Sequence, residues 1–250
     1  MKTDLHFSAQ QDLERIREHL SGSDAGQTPW VWLFFGDSIT HGAKHTRGWR
    51  SFPEIFAERL RWELQHPQDI VLNTGISGNT SADLLRDYDW RCRHWHPDAV
   101  FLLIGINDIV KLDDLDLFRG NLSRLVGQLR ADGALPILQT YGTIQKIEDS
   151  PNYMKRFLEL PAYNDAIRRI AEEESVILVD HDRYWRSAAA DPAVQASWLG
   201  EAIHPGAAGH LEMAKEIFRK LEVYDPEAGS SNPVGIPFGI PPWSGSRSEG

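Results

Sequence analysis

Apolar residues in this chain fall into two alternating kinds of run. One kind is short and continuous. Trp30 to Phe35 is such a run, closed by Gly36, and Ala99 to Ile104 is another, opening after Pro97. Runs of this length between turn formers predict strands buried on both faces. Asp69–Asn73, Leu135–Gln139 and Val176–Val179 are shorter versions of the same signal. Pro136 has no amide proton for a ladder, so the fourth strand is expected at a sheet edge, or with Pro136 near its start. The second kind of run has helical spacing. It appears at Phe52, Ile55, Phe56, Leu60 and Leu64, at Leu115, Phe118, Leu122, Leu125, Val126 and Leu129, at Tyr163, Ile167, Ile170 and Ala171, and at Leu211, Ala214, Ile217, Phe218 and Leu221. Leu13, Ile16 and Leu20 predict a short amphipathic helix over Ser8–Leu20, with Ser8 as its cap. Strands alternating with helices predict an α/β fold of three layers, with helices on both faces of a five-stranded, parallel, flavodoxin-like sheet.

The same pattern predicts the organisation of the chain. Residues 1–29 form an N-terminal helix and a Gly/Ser/Asp linker, 30–224 one sheet domain, and 225–250 a tail rich in proline, glycine and serine. That composition fits a solvated tail. Val234, Ile236, Phe238, Ile240 and Trp243 give it apolar anchors, so the competing expectation is an extended arm. Such an arm would lie over its own domain or over a neighbouring subunit of a homo-oligomer. Lys plus Arg number 26 against 36 Asp plus Glu, a formal net charge of −10 that argues against a nucleic-acid partner. The single cysteine, Cys92, excludes an intrachain disulfide framework and a Cys-based zinc site. No stretch approaches the ~18 apolar residues of a membrane span. The first residues carry no apolar run of a secretory signal, so a cytoplasmic protein is expected.

In doubly wound sheets the ligand sits outside the carboxyl ends of the strands, and there this chain is polar. The first strand is followed by Gly36-Asp37-Ser38-Ile39, the second by Asn73-Thr-Gly75-Ile-Ser-Gly78-Asn79, and the third by Gly105-Ile-Asn107-Asp108. Glu201-Ala-Ile-His204-Pro205 precedes the last helix, with Pro205 expected at its first position. A rim hydroxyl such as Ser38 suits a nucleophile, although serine at such a turn is also a favoured helix cap. A serine nucleophile needs a base, and His204 is the candidate. Glu201 stands three residues earlier, within reach of the imidazole, where it could set the tautomer. Gly78 lets a backbone N–H approach closely, and Asn107 offers a side-chain amide, both suitable for a developing oxyanion.

These blocks, Gly36-Asp37-Ser38-Ile39, Gly78, Gly105-Ile106-Asn107-Asp108 and Glu201-x-x-His204-Pro205, resemble in order the four blocks of the SGNH, or GDSL-type, hydrolase superfamily. The resemblance implies that Ser38 is the nucleophile and His204 the general base and acid. It places the oxyanion hole at Ser38, Gly78 and Asn107. It implies ester hydrolysis through an acyl-enzyme, with a small-molecule ester as substrate and neither metal nor cofactor. The family usually has Asp where this chain has Glu201, so the orienting acid here is one methylene longer. Candidate substrate contacts are Asp37, Trp49, Tyr141 and Trp198. The segment 142–160, with Tyr153, Met154 and Phe157, is expected as a long loop forming a lid or pocket wall. Short acyl groups, acetylated carbohydrates among them, are the expected substrates.

Other classes read differently. A metal-dependent phosphoesterase would use Asp37, His41, Asn73, Asn107, Asp108 and His204, but would leave Ser38 without a role. A nucleotide-binding module would need a phosphate-cradling glycine loop, and none is present. An acyltransferase would use the same acyl-enzyme with an alcohol in place of water.

Overall fold

The computed structural model describes residues 8–22 and 28–233. Five parallel strands form one sheet in the order β2-β1-β3-β4-β5, with β1 Val31–Gly36, β2 Ile70–Asn73, β3 Ala99–Leu103, β4 Leu135–Gln139 and β5 Ile177–Val179. This is the doubly wound, flavodoxin-like order, and the strand order reverses beside β1. Pro136 opens an interior strand, not an edge one. It pairs with Val100 on β3, and pairing to β5 begins only at Ile137. The missing amide proton therefore falls where the second ladder has not started.

Packing follows the two periodicities. Helix α1 spans Ala9–Ser21, α2 Ser38–His41 and α3 Phe52–Glu58, the last continued by a π turn over Arg59–Glu63. The Ser51–Glu54 capping box starts α3. Helices α4 (Ser81–Arg86), α5 (Tyr88–Arg91), α6 (Asp108–Lys111) and α7 (Leu115–Ala131) follow, then α8 (Pro151–Glu173), α9 (His181–Ala188), α10 (Pro192–Ser197) and α11 (Ala207–Lys220). Helices α3 and α11 pack together, and α4, α7 and α8 form a second packed group. In the core, Phe34 and Phe101 are register neighbours whose rings stack at 4.5 Å, while Phe52 and Phe56 set their edges against Phe34. Such pairs add to the area they bury. Among the described residues no helix is long and apolar enough to cross a membrane.

Several expectations are corrected. Ser8 makes no side-chain cap bond to α1. Residues 151–160 are not loop, because α8 begins at Pro151 and runs through Pro161. A proline inside a helix costs a hydrogen bond and usually signals an end. Here the helix continues, with Leu160, Tyr163, Asn164 and Ile167 buried on both sides of it. Pro205 does not open α11, which starts at Ala207 after Gly206. It forms an isolated antiparallel bridge with Leu199 instead.

Helix α1 packs into the same core as the sheet, burying Leu13, Ile16 and Leu20. It runs along the ends where the strands begin. Asp12 pairs with Arg130 just before β4, and His19 Nε2 meets Asp69 just before β2 at 2.7 Å. Asp69 also accepts from Trp32 Nε1 at 2.8 Å and from the Trp30 amide at 2.9 Å. The first residues of the tail dock on their own domain. Ser230 bonds Glu63, and Arg50 donates to the Asn232 carbonyl at 2.8 Å. The apolar anchors Val234 to Trp243 lie outside the described residues.

At the opposite rim, one buried cation joins the strand ends. The Arg91 side chain is closed off from solvent. It donates to the carbonyls of Thr74 (3.1 Å) and Gly36 (3.2 Å) and to Asn79 Oδ1, and it lies over the Phe35 ring at 4.9 Å. Replacing Arg91 by Met would keep most of the packing and strand these acceptors. A loss on the order of 3 kcal/mol in urea unfolding is expected, and a change within about 0.5 kcal/mol would contradict this account.

Candidate active site

Strand β1 ends at Gly36, a position with no room for a side chain. A Cβ would stand 2.4 Å from the Leu103 carbonyl and 2.4 Å from Thr40 Oγ1. Asp37 caps the single turn of α2 by accepting from the Ile39 amide at 3.0 Å, which places Ser38 first in the helix. The ladder to β2 continues past the strand end, where the Ile76 amide donates to the Gly36 carbonyl at 3.1 Å. This brings the Gly75–Asn79 loop beside Ser38. Gly78 takes φ +83°, a left-handed conformation open to glycine, and its carbonyl accepts from Lys111 Nζ. Asn107, at the start of α6 in the turn after β3, donates from Nδ2 to the Asn79 carbonyl at 3.0 Å. Its neighbour Asp108 is buried and holds the start of α4 through the Ser81 amide (3.0 Å) and hydroxyl.

The fourth block sits on a closed turn. The Gly200 amide donates to the His204 carbonyl at 2.9 Å, and the Gly206 amide to the Trp198 carbonyl at 2.9 Å. Within this turn Glu201 Oε1 hydrogen-bonds His204 Nδ1. On the other edge of the ring, His204 Nε2 lies 2.8 Å from Ser38 Oγ. Ser38 and His204 are each 8% exposed, so the pair is nearly buried but reachable. Burial pulls the His204 pKa below its ordinary value, more than its hydrogen bond to Glu201 restores. A neutral imidazole with its proton on Nδ1 presents a lone pair at Nε2 to the serine hydroxyl.

The expected substrate contacts fare unevenly. Asp37 and Tyr141 are shut off from solvent and bonded to each other, Tyr141 Oη donating to Asp37 Oδ2 at 2.6 Å. They brace the turn of Ser38 from beneath. Trp198 sets itself edge-on to Trp185 at 5.1 Å, a packing role that anchors the turn carrying His204. Trp49 is 55% exposed on the loop after α2, open to a ligand. Two residues escaped sequence reasoning. His45 stacks on the face of His204, and Arg156 on α8 donates to the Ile106 carbonyl at 3.1 Å and to Asn107 Oδ1 at 3.4 Å. No local motif marks either, since both reach the site by tertiary packing.

Two groups of metal-ligand residue types come together among the described residues, His19/His66/Asp69 and His45/Glu201/His204. In the first, both partners of the 2.7 Å His19–Asp69 bond are already satisfied by each other. In the second, the two imidazoles lie face to face, 8° from parallel. Their in-plane lone pairs do not converge on a common point, as a metal site requires.

Comparison with known proteins agrees with this geometry. Residues 34–211 match the model of the GDSL-like Lipase/Acylhydrolase family. An acetylxylan esterase of Geobacillus stearothermophilus is 30% identical over 207 residues, covering 76% of this chain and 92% of that protein. An arylesterase of Vibrio mimicus is 28% identical over 158 residues, covering 63% and 73%. The crystal structure of Axe2, an acetylxylan esterase from Geobacillus stearothermophilus, superposes with a TM-score of 0.64 at 26% identity, over 80% of this chain and 95% of that one. Catalytic mutants of that enzyme replace a serine, an aspartate and a histidine, the last two three positions apart.

The buried carboxyl of Asp37 is measurable through stability. Burial pushes it up to about 6, against the bonds from Tyr141 and the Ile39 amide, which favour the carboxylate. A pKa raised above the unfolded value gives stability that is complete below the unfolded pKa and lost as pH rises through the folded one. Asp37→Asn cannot ionise and escapes that loss. Between about pH 4 and pH 8 its stability relative to wild type should rise on the order of 2–3 kcal/mol in urea titrations, and a constant difference would refute the assignment.

Proposed function

The chain belongs to the GDSL-like lipase/acylhydrolase family and is a carboxylic ester hydrolase, and from that premise we propose that it is a serine esterase acting on short-acyl esters of carbohydrates. The observation that carries the reading is the hydrogen-bonded chain Ser38 Oγ–His204 Nε2 and His204 Nδ1–Glu201. Glu201 holds the Nδ1 proton and so fixes the reactive tautomer. As Ser38 Oγ attacks the ester carbonyl, its proton passes to His204 Nε2. The carbonyl oxygen gains the negative charge. The Ser38 amide has no intrahelical partner at the first position of α2, and it joins the Gly78 amide and Asn107 Nδ2 as oxyanion donors. His204 then gives its proton to the leaving alkoxide, releasing the alcohol and leaving an acyl-serine. Water attacks that acyl group, gives its proton to Nε2, and the carboxylic acid departs as Ser38 recovers its hydrogen.

Glutamate supports this role despite its extra methylene, because the tight turn brings its carboxylate back to Nδ1. The spacing of three between acid and base is the same as in the catalytic mutants of Axe2. Support for short acyl groups on a sugar comes from the acetylxylan esterase relative, 30% identical over 207 residues. Trp49 offers an exposed ring on the loop after α2, of the kind on which a sugar face can stack.

A fluorophosphonate probe should label Ser38 in the presence of EDTA. Ser38→Ala should abolish labelling and lower kcat on the order of 10³- to 10⁶-fold, and Glu201→Ala should lower kcat by more than about tenfold. Labelling elsewhere, or a Ser38→Ala enzyme of wild-type rate, would overturn the mechanism. Across p-nitrophenyl esters from acetate to palmitate, kcat/KM should be highest for acetate and fall steadily with chain length. A maximum at a long chain would overturn the substrate assignment.

A further inference from the structure

His45 lies outside every motif, yet its ring covers that of the base. The His45 and His204 ring centroids are 3.4 Å apart and the planes differ by 8°, full face-to-face contact. The His45 backbone also closes on the turn that carries the acid and base, for a Cβ at Gly200 would lie 3.0 Å from the His45 carbonyl. The Thr46 hydroxyl, donating to the Gly42 carbonyl at 2.8 Å, holds the loop in this place. The segment that follows the nucleophile is therefore folded back as a clamp over the catalytic histidine.

We propose that His45 is a positioning residue of the esterase, an aromatic lid that fixes the plane of the His204 imidazole and stabilises the imidazolium formed when Ser38 gives up its proton. This rests on the serine-esterase reading above. Three observations carry it. Both working bonds of His204 lie in its ring plane, so rotation of the ring breaks both at once, and a flat ring in van der Waals contact opposes that rotation. A neutral aromatic face is also attractive to a cation placed over it. Finally, His45 Nδ1 stands 3.6 Å from Glu201 Oε1, too far for a hydrogen bond, so the carboxylate stays with His204 while His45 is neutral.

Protonation of His45 would reverse each effect. It would set two positive rings against each other and draw Glu201 away from Nδ1. The structure disfavours that state, because burial lowers the His45 pKa, with Lys44 adding to the shift and Glu201 opposing it. The charged and titratable groups facing the pair are Glu201 on the same turn, Lys44 beside His45, Arg156 from α8, and His210 from α11, which burial holds neutral with a pKa of about 3.

The test compares His45→Ala with His45→Phe on p-nitrophenyl acetate, with fluorophosphonate labelling of Ser38 and circular dichroism as controls. His45→Ala should lose kcat on the order of 10²-fold with KM little changed, the scale expected when a reacting group is misplaced. His45→Phe keeps a flat ring and should recover most of that loss. In His45→Phe the acid limb of kcat should move to higher pH, because the His204 imidazolium no longer meets a second ring able to carry positive charge. A His45→Ala enzyme of wild-type kcat, or a His45→Phe enzyme as slow as His45→Ala, would overturn the proposal. If wild type fails to label at Ser38, the esterase reading falls and this proposal with it. If wild type labels and His45→Ala runs at wild-type rate, only the positioning role falls.

Discussion

One buried guanidinium holds the rim on which the site is built. At the carboxyl ends of a parallel sheet the ladder stops, and the carbonyls of the departing loops need other donors. Arg91 supplies several from one planar group, to Gly36 at the end of β1 and to Thr74 and Asn79 in the loop after β2. A lysine at this place would bring a more strongly hydrated point charge with fewer donors. The consequences reach further than the bonded atoms. Gly36 leads directly into the turn of Ser38, and the Asn79 carbonyl receives the amide of Asn107. The turn of Ser38, the Gly75–Asn79 loop and the Asn107 side chain thus share one anchor.

A second layer of buried polar groups lies beneath that anchor, and it explains why the acids near the site differ so much in character. Asp37 and Asp108 are buried and fully engaged, by Tyr141 and the Ile39 amide in one case and by Ser81 in the other. Burial pushes both carboxyls up to about 6. Such groups fix the geometry of the turns they hold, closed off from solvent. Glu201 is different. Its side chain is 42% exposed, on the water side of the rim, and its single strong partner is the imidazole it orients. Of the three, Glu201 alone bonds His204.

Much of the architecture was legible in the sequence because its signals are local. Continuous apolar runs gave five strands to within a residue or two, and helical stripes gave α1, α3, α7 and α11. The readings that failed were those in which a local rule met a tertiary exception. The segment 142–160 read as a long loop, yet α8 begins at Pro151 and buried neighbours on both sides keep it continuous through Pro161. Pro205 read as a helix start, but its residue is taken up by the bridge to Leu199. Asp37 and Tyr141 read as ligand contacts because they stand at strand ends. Their mutual hydrogen bond turns both inward, and nothing in either local segment announces a partner about a hundred positions away.

By itself the sequence determined the class of fold, the strand ends on which chemistry could occur, and the identity of the nucleophile and base candidates. Those depend on periodicity and on short blocks whose meaning survives without neighbours. Only the tertiary structure decided which atoms meet. It set the 2.8 Å contact of Ser38 with His204 across 166 positions, the engagement of Glu201 with Nδ1, and the stacking of His45 over His204. The reason is physical. A side chain's reach and ionisation are set by the burial and partners that folding brings to it, and segments far apart in the chain supply those partners.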